Sequence, residues 1–315
     1  MIYTYDSFAA KGGLGDILFP AFEKQCDCKL RVLPSVDGAQ MMSRLEIDRK
    51  REKTTAHLVL GIDQQIWDKY RPLLEEWQGW SPDAYAKVPE DLRVGPGFMP
   101  FDYGVMAFML DKKFIYQKDV QLPKTLKDLL EPTWKRKIAL QDPRASTPGL
   151  CFLLYTQQIM KENFVNFWKD MRSQWLTLAP GWDAAYGLFL KGEAALVWSY
   201  TTSQAYHRKH GDQAGRYEAL VFEDGNPVQI EGAALVKGAL KTDTERALAI
   251  RFLSFLLSPE IQSAIPESNW MLPVVKTTAI PPSFEGLPQA KKLIRLPTDA
   301  KAIDDTIMTW AKSIR

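Results

Sequence analysis

The sequence predicts an α/β protein of two lobes joined by two crossing strands, and three observations carry that reading. Its 315 residues are too many for one ordinary core, so two domains are expected. Residues 2–63 hold strand patterns at Ile2–Tyr5, Lys29–Pro34 and His57–Asp63, each followed by a loop and helical sequence. Such units imply a parallel sheet with its loops on one edge. Two long apolar runs, Pro100–Leu110 and Val228–Lys237, bracket a segment with its own pattern. They read as the outward and return crossings. Residues 1–103 and 231–315 then form one lobe and 104–230 the other, able to close by hinge over a ligand.

In chain order, Asp6-Ser7-Phe8 is a polar turn, Pro20–Gln25 ends a helix, and Ala39–Lys50 is a helix that Asp37 can cap. Asp6, Asp37 and Asp63 all fall at the loop edge of the sheet. Asp6 reads as a turn residue; Asp37 and Asp63 suit a turn or a ligand-facing role. Trp67–Trp80 is amphipathic and helical, 94–100 is a break, Leu122–Leu130 is a capped helix, and Ile138–Gln141 is a buried strand. Ser146 and Thr147 precede Pro148, which suits the first turn of a helix. Hydroxyls and N–H groups at such a start hold a phosphate or carboxylate, or serve only as a cap.

The most informative stretch is Gly181–His207. Asp183 can cap a short helix that Gly192 ends, and Ala194–Tyr200 is an apolar strand breaking into Thr201, Thr202 and Ser203. Ligands of open α/β sheets bind at such strand ends. Here Trp182, Trp198, Tyr200 and Tyr206 bring aromatic faces together with small hydroxyls, a wall for an aromatic cation. Trp198, in mid-strand, reads as core; Trp182 and Tyr206, flanking the elements, suit pocket or core. Further on come a strand at Glu218–Phe222, a helix at Thr244–Leu257, and a loop from Asn269 that can carry Trp270 back to the cleft.

The composition, 46% hydrophobic and 25% charged with a net charge of +2, is that of a globular protein with no call for nucleic acid. The basic residues at 49–53 and 135–137 read as solvated surface. No apolar run approaches the roughly 20 residues of a membrane span. The start, MIYTYDSF, goes directly into a strand pattern, so the protein is cytosolic or Met1 replaces a removed export signal. Cys26 and Cys28, one residue apart, are open to a bridge or to free thiols, and Cys151 is distant. The cysteines and His57, His207 and His210 show no metal-site spacing.

Several runs together resemble a known family. They are Leu58-Val-Leu-Gly-Ile-Asp63, Pro100-Phe-Asp-Tyr-Gly104, Gln141-Asp-Pro-Arg-Ala-Ser-Thr-Pro-Gly149, Gly181–Glu193, Ser199-Tyr-Thr-Thr-Ser203 and Asn269-Trp270. They look like the periplasmic thiamine-binding proteins of bacterial thiamine ABC transporters. That resemblance implies a type II periplasmic-binding fold and a cleft holding thiamine or its mono- or diphosphate. It also implies delivery to an inner-membrane ABC permease, a periplasmic location and a monomer without cofactor. By the same resemblance, Asp37 and Gly38 match one ligand-contacting loop and Ser146 and Thr147 another. Trp182, Tyr200, Thr201, Thr202 and Ser203 match the core of the site, and Tyr206 and Trp270 match aromatic positions around it. Cys26 and Cys28 look like the family's paired cysteines. Lys11-Gly12-Gly13 stands where the family has a tryptophan, and Cys151 where a glycine is usual.

Two other functions fit such a chain. Thiamine-degrading enzymes share the two-lobed architecture and use a cysteine nucleophile, for which Cys151 is the candidate. Ferric-ion binding would use Tyr200, Tyr206 and His207 as hard donors.

Overall fold

The computed structural model describes residues 1–52, 56–115, 120–212, 214–276 and 280–315. Lys53, in the first basic run, lies outside them. In chain order the first elements are β1 (Ile2–Tyr5), α1 (Asp6–Ala9), α2 (Gly15–Cys26), β2 (Val32–Ser35), α3 (Gly38–Lys50), β3 (Leu58–Asp63) and α4 (Gln64–Tyr70). Next come β4 (Met99–Asp111), β5 (Ile138–Gln141), α5 (Thr147–Met160), α6 (Phe164–Met171), β6 (Trp175–Ala179), α7 (Trp182–Leu190), β7 (Leu196–Tyr200) and α8 (Ser203–Lys209). The chain ends with β8 (Tyr217–Leu220), β9 (Asn226–Leu235), α9 (Asp243–Leu256), α10 (Pro259–Ser268), β10 (Leu272–Pro273), β11 (Leu293–Ile294) and α11 (Ala300–Ser313).

Two compact units result, Met1–Tyr103 with Ile230–Pro281 and Gly104–Gln229 with Pro282–Arg315. Both chain passages fall inside a strand, β4 and β9. In the first unit β1 pairs in parallel with β2 and β3, and β3 runs antiparallel to β9. Every position of β3 is buried, as a strand covered on both faces must be. The register pairs Ile2 with both Val32 and Leu58, so β1, β2 and β3 end on one edge, at Tyr5, Ser35 and Asp63. Edge-on aromatic pairs, Phe8 with Phe101 at 5.9 Å and Phe22 with Phe252 at 5.0 Å, fill this core.

In the second unit β5 lies between β6 and β7, parallel to both, and β4 runs antiparallel to β7 and β8. Trp198 is core here: it is fully buried, packs against Phe108 and Phe152 at 5.0 and 4.9 Å, and donates Nε1–H to Pro148 O. The cap of α7 is Gly181. Asp183, expected there, is exposed in the first turn, where its charge favours the positive end of the helix dipole.

The structure corrects the assignment of residues 231–315 to the first lobe. From Pro282 on, the chain belongs to the second unit. The amphipathic α11 buries Ile303, Thr306 and Trp310, and the Trp310 ring meets Trp168 edge-on at 5.8 Å. The helix expected over Trp67–Trp80 stops at Tyr70, because Pro72 permits only one 3-10 turn, Arg71–Leu73. The helix expected at Leu122–Leu130 is likewise a single 3-10 turn, Lys127–Leu130. Cys26 and Cys28 are bridged, with Cα atoms 5.2 Å apart and Asp27 between them in the left-handed region. Cys151 is buried and lies outside that disulfide.

Trp310→Ala is expected to destabilise the second unit by about 3–5 kcal/mol through the cavity it leaves. Native-state hydrogen exchange should show lost protection in α5, α6 and β6 with β1 and β3 unchanged. Equal loss in both units would contradict the placement of the final helix.

Candidate functional site

In the second unit, eight of the expected residues lie at or just beyond the carboxyl ends of the parallel strands, Tyr206 among them on α8. Ser146 caps α5 after β5, Trp182 opens α7 after β6, and Tyr200 ends β7 before Thr201, Thr202 and Ser203. Pro148 sits in the first turn of α5, and Gly149 lets that helix approach β5 closely; a Cβ there would lie 2.5 Å from Gln141 O. Ser146 and Thr147 are buried at that start. Thr202 is fully buried, and its Oγ1 has no hydrogen-bond partner among the described residues. A buried hydroxyl in that condition is a natural place for a ligand atom.

The aromatic part is held rigidly. Trp182 donates Nε1–H to Ser199 Oγ at 2.9 Å, and Ser199 Oγ lies 2.8 Å from Ser203 Oγ. The half-buried indole stacks on Tyr186 at 4.6 Å, and behind it His207 stacks on Tyr217 at 3.7 Å. The Tyr186 hydroxyl and His207 Nε2 are hydrogen-bonded at 2.9 Å. Burial pushes the His207 imidazole down to about 4, so it is neutral at physiological pH. Tyr206 is half-buried on α8, its ring 4.3 Å from His210.

In the first unit, Asp37 caps α3, with its side chain accepting from Ala39 N, and Gly38 is the first helical residue. Asp63 ends β3. Asp37 and Asp63 are both buried. Trp270 follows α10 and is half-buried, with a left-handed φ of 55°, an unusual conformation for a bulky residue that marks a constrained position.

Around these residues the structure shows a network that sequence reading missed. Tyr5 donates its hydroxyl to Glu231 Oε2 at 2.6 Å. Asn269 donates Nδ2–H to Asp102 Oδ2 at 2.6 Å and to the Tyr5 oxygen at 3.1 Å. Gly61, at a bulge in β3 with φ of +91°, permits the approach, since a Cβ there would strike the Tyr5 ring at 2.2 Å. Asp63 and Glu231 are direct cross-strand partners. Burial, opposed by the Tyr5 hydrogen bond and aided by Asp37, pushes the Glu231 carboxyl up to about 7. Burial and the Glu231 charge hold Asp102 well above the usual carboxylate range. The available signal was an acid in the interior of each crossing strand, Asp102 in Met99–Asp111 and Glu231 in Asn226–Leu235; acids are rarely so placed without a role.

Set beside known proteins, residues 75–300 match the family described as bacterial extracellular solute-binding proteins. The chain belongs to that family. The thiamine-binding periplasmic proteins of Brucella melitensis and Escherichia coli are each 39% identical to it. The matches cover 94% and 91% of this chain and 85% and 84% of theirs. A solved periplasmic thiamin binding protein superposes with a TM-score of 0.87 at 36% identity, over 100% of this chain and 95% of that one. This solute-binding protein therefore has the type II periplasmic-binding fold expected from the resemblance. Its similar proteins bear the thiamine-binding name that the sequence motifs pointed to.

Two buried groups give opposite pH signatures. The imidazole of His207 has a lowered folded-state pKa, so it removes stability as pH falls from about 6.5 towards 4. The Glu231 carboxyl has a raised one, so it removes stability as pH rises from about 4.5 through 7. Denaturant unfolding at pH 5 and pH 8 is expected to show that Glu231→Gln stabilises the ligand-free protein at pH 8 by about 1–3 kcal/mol. In the same comparison His207→Gln should reduce the loss at pH 5. Unchanged pH slopes in both variants would contradict these assignments.

Proposed function

We propose that this solute-binding protein captures thiamine, with its mono- and diphosphate, in the periplasm and delivers it as a monomer to the membrane permease of an ABC importer. The observation that carries the reading is that each unit holds a residue set of its own suited to one part of such a ligand. The first unit holds buried carboxylates, Asp37, Asp63, Asp102 and Glu231, suited to a cationic ring. The second holds a fixed indole, hydroxyls and a helix start, suited to a flat heteroaromatic ring and a phosphate. The names of the relatives, 39% identical over nearly the whole chain, support the same ligand.

In this function no bond is made or broken and no cofactor is needed. The thiol of Cys151 is fully buried within α5, as structural rather than reactive thiols are, which counts against a nucleophilic role. His207, needed for a ferric site with Tyr200 and Tyr206, has Nε2 engaged by Tyr186 and its ring against Tyr217. Among the described residues no group of three His, Cys, Asp or Glu is arranged to hold a metal ion.

Calorimetric titration of refolded, ligand-stripped protein with thiamine and its two phosphates tests the proposal, tight 1:1 binding being expected. Trp182→Ala and Tyr206→Ala should each weaken binding by about 1–3 kcal/mol through lost stacking. Unchanged affinity in both would move the ligand away from the aromatic wall. Ser146→Ala is expected to weaken the phosphorylated forms more than thiamine, and equal losses for all three ligands would remove the phosphate from the α5 start.

A further inference from the structure

The two acids inside the crossing strands have an electrostatic problem that hydrogen bonds do not solve. Glu231 lies on β9 directly opposite Asp63 on β3, and like charges in that position repel. Among the described residues, Glu231 accepts one hydrogen bond, from Tyr5 on β1, and Asp102 on β4 accepts one, from Asn269 after α10. Asp102 is fully buried, and its Oδ1 has no hydrogen-bond partner among the described residues. The charges acting on the pair are Asp63 and Asp37, the latter from the cap of α3. Among the described residues no lysine, arginine or histidine pairs with Glu231 or Asp102. Burying Glu231 and Asp102 beside other acids, with no cationic side chain paired to either among the described residues, is unfavourable unless a proton or another cation is present. The Glu231 charge acts directly on Asp102, so ionising one disfavours ionising the other, and the pair titrates as a unit.

We propose that the Tyr5–Glu231–Asn269–Asp102 network is the charge-selecting element of the ligand site, holding a proton in the ligand-free protein and giving it up to solvent when a cationic heteroaromatic ring binds. No covalent bond changes. One proton leaves a carboxyl, and the ligand's fixed positive charge replaces it. This rests on the proposed capture of thiamine and adds to it the residues that distinguish a cationic ring from a neutral one of the same shape. The upward shift of the Glu231 carboxyl to about 7 agrees with the geometry. A proton bound below that pH must be displaced by the ligand, so affinity rises as pH rises through 7 and levels off above it.

The test is calorimetric titration at pH 7 in phosphate and in Tris, whose ionisation enthalpies differ. The ligands are thiamine and a neutral analogue with carbon in place of the thiazolium nitrogen. Wild-type protein should release about half a proton per thiamine at pH 7 and bind thiamine about tenfold more tightly at pH 8 than at pH 6. It should release none with the neutral analogue. Glu231→Gln should abolish the proton release, flatten the pH dependence and reduce discrimination against the neutral analogue by about tenfold. Asp102→Asn, which keeps an acceptor for Asn269, serves as the second variant and should move the same readouts in the same direction. Thiamine binding with no buffer-dependent heat and a flat pH profile would overturn this inference while leaving the thiamine reading intact. Equal proton release with the neutral analogue would also overturn it, since the ligand's charge would then be irrelevant. Failure of thiamine to bind at any pH would overturn both.

Discussion

Two strands, β4 and β9, each belong to both units, and keeping their buried backbone paired is the constraint on which the rest of the structure depends. A buried N–H or C=O without a partner costs about as much as a lost hydrogen bond. Side chains supply partners where the sheet alone does not. In the first unit Gln64 Oε1 accepts from Ile230 N, and Gln262 Nε2 donates to Phe101 O. In the second, Asn226 Nδ2 donates to Met106 O while its Oδ1 accepts from Phe222 N. These amides are buried, neutral and satisfied on the backbone side. Asp102 and Glu231 sit in the same strands under a different rule: they carry acid into the interior and, among the described residues, accept from one donor apiece.

The two units present different chemistry because their strand ends carry different residues on the same scaffold. Parallel strands place loops and helix starts on one edge, where N–H groups and capping side chains converge. In the first unit that edge is acidic, through Asp37 and Asp63. In the second it is aromatic and hydroxylic, through Trp182, Tyr200, Thr202 and Ser146. The second unit's wall is braced from behind by Tyr186, His207 and Tyr217, a stack whose histidine stays neutral because it is buried. Such bracing costs stability at low pH and fixes the indole orientation, the preorganisation a binding site needs.

Much of the architecture was legible because local patterns and the fold agree. β1 follows Ile2–Tyr5 as expected, β3 starts one residue inside the predicted run, and α3 starts one residue earlier than predicted, with Asp37 as its cap. The carboxyl end of β7 at Tyr200 and a helix start around Pro148 were also readable, since apolar runs and capping residues are local signals, though α5 begins at Thr147, earlier than the Leu150 expected. The errors came where a long-range partner decides. The final helix joined the second unit because Trp310 meets Trp168, a contact across 142 residues of chain that no window of sequence displays. The acid network was missed for the same reason, as Tyr5, Asp102, Glu231 and Asn269 are spread over nearly the whole chain.

The sequence by itself determined the α/β class, the two crossing strands, the strand-end positions of Asp37, Asp63, Ser146, Trp182 and Tyr200, and the family. All of these rest on short-range periodicity, caps and motifs, whose physics acts within a few residues. Only the tertiary structure decided which unit receives residues 282–315 and that Cys26 and Cys28 are joined. It alone placed Glu231 opposite Asp63, because strand register and burial are settled by packing between distant segments. A carboxylate's energy depends on what packing brings near it more than on its neighbours in sequence.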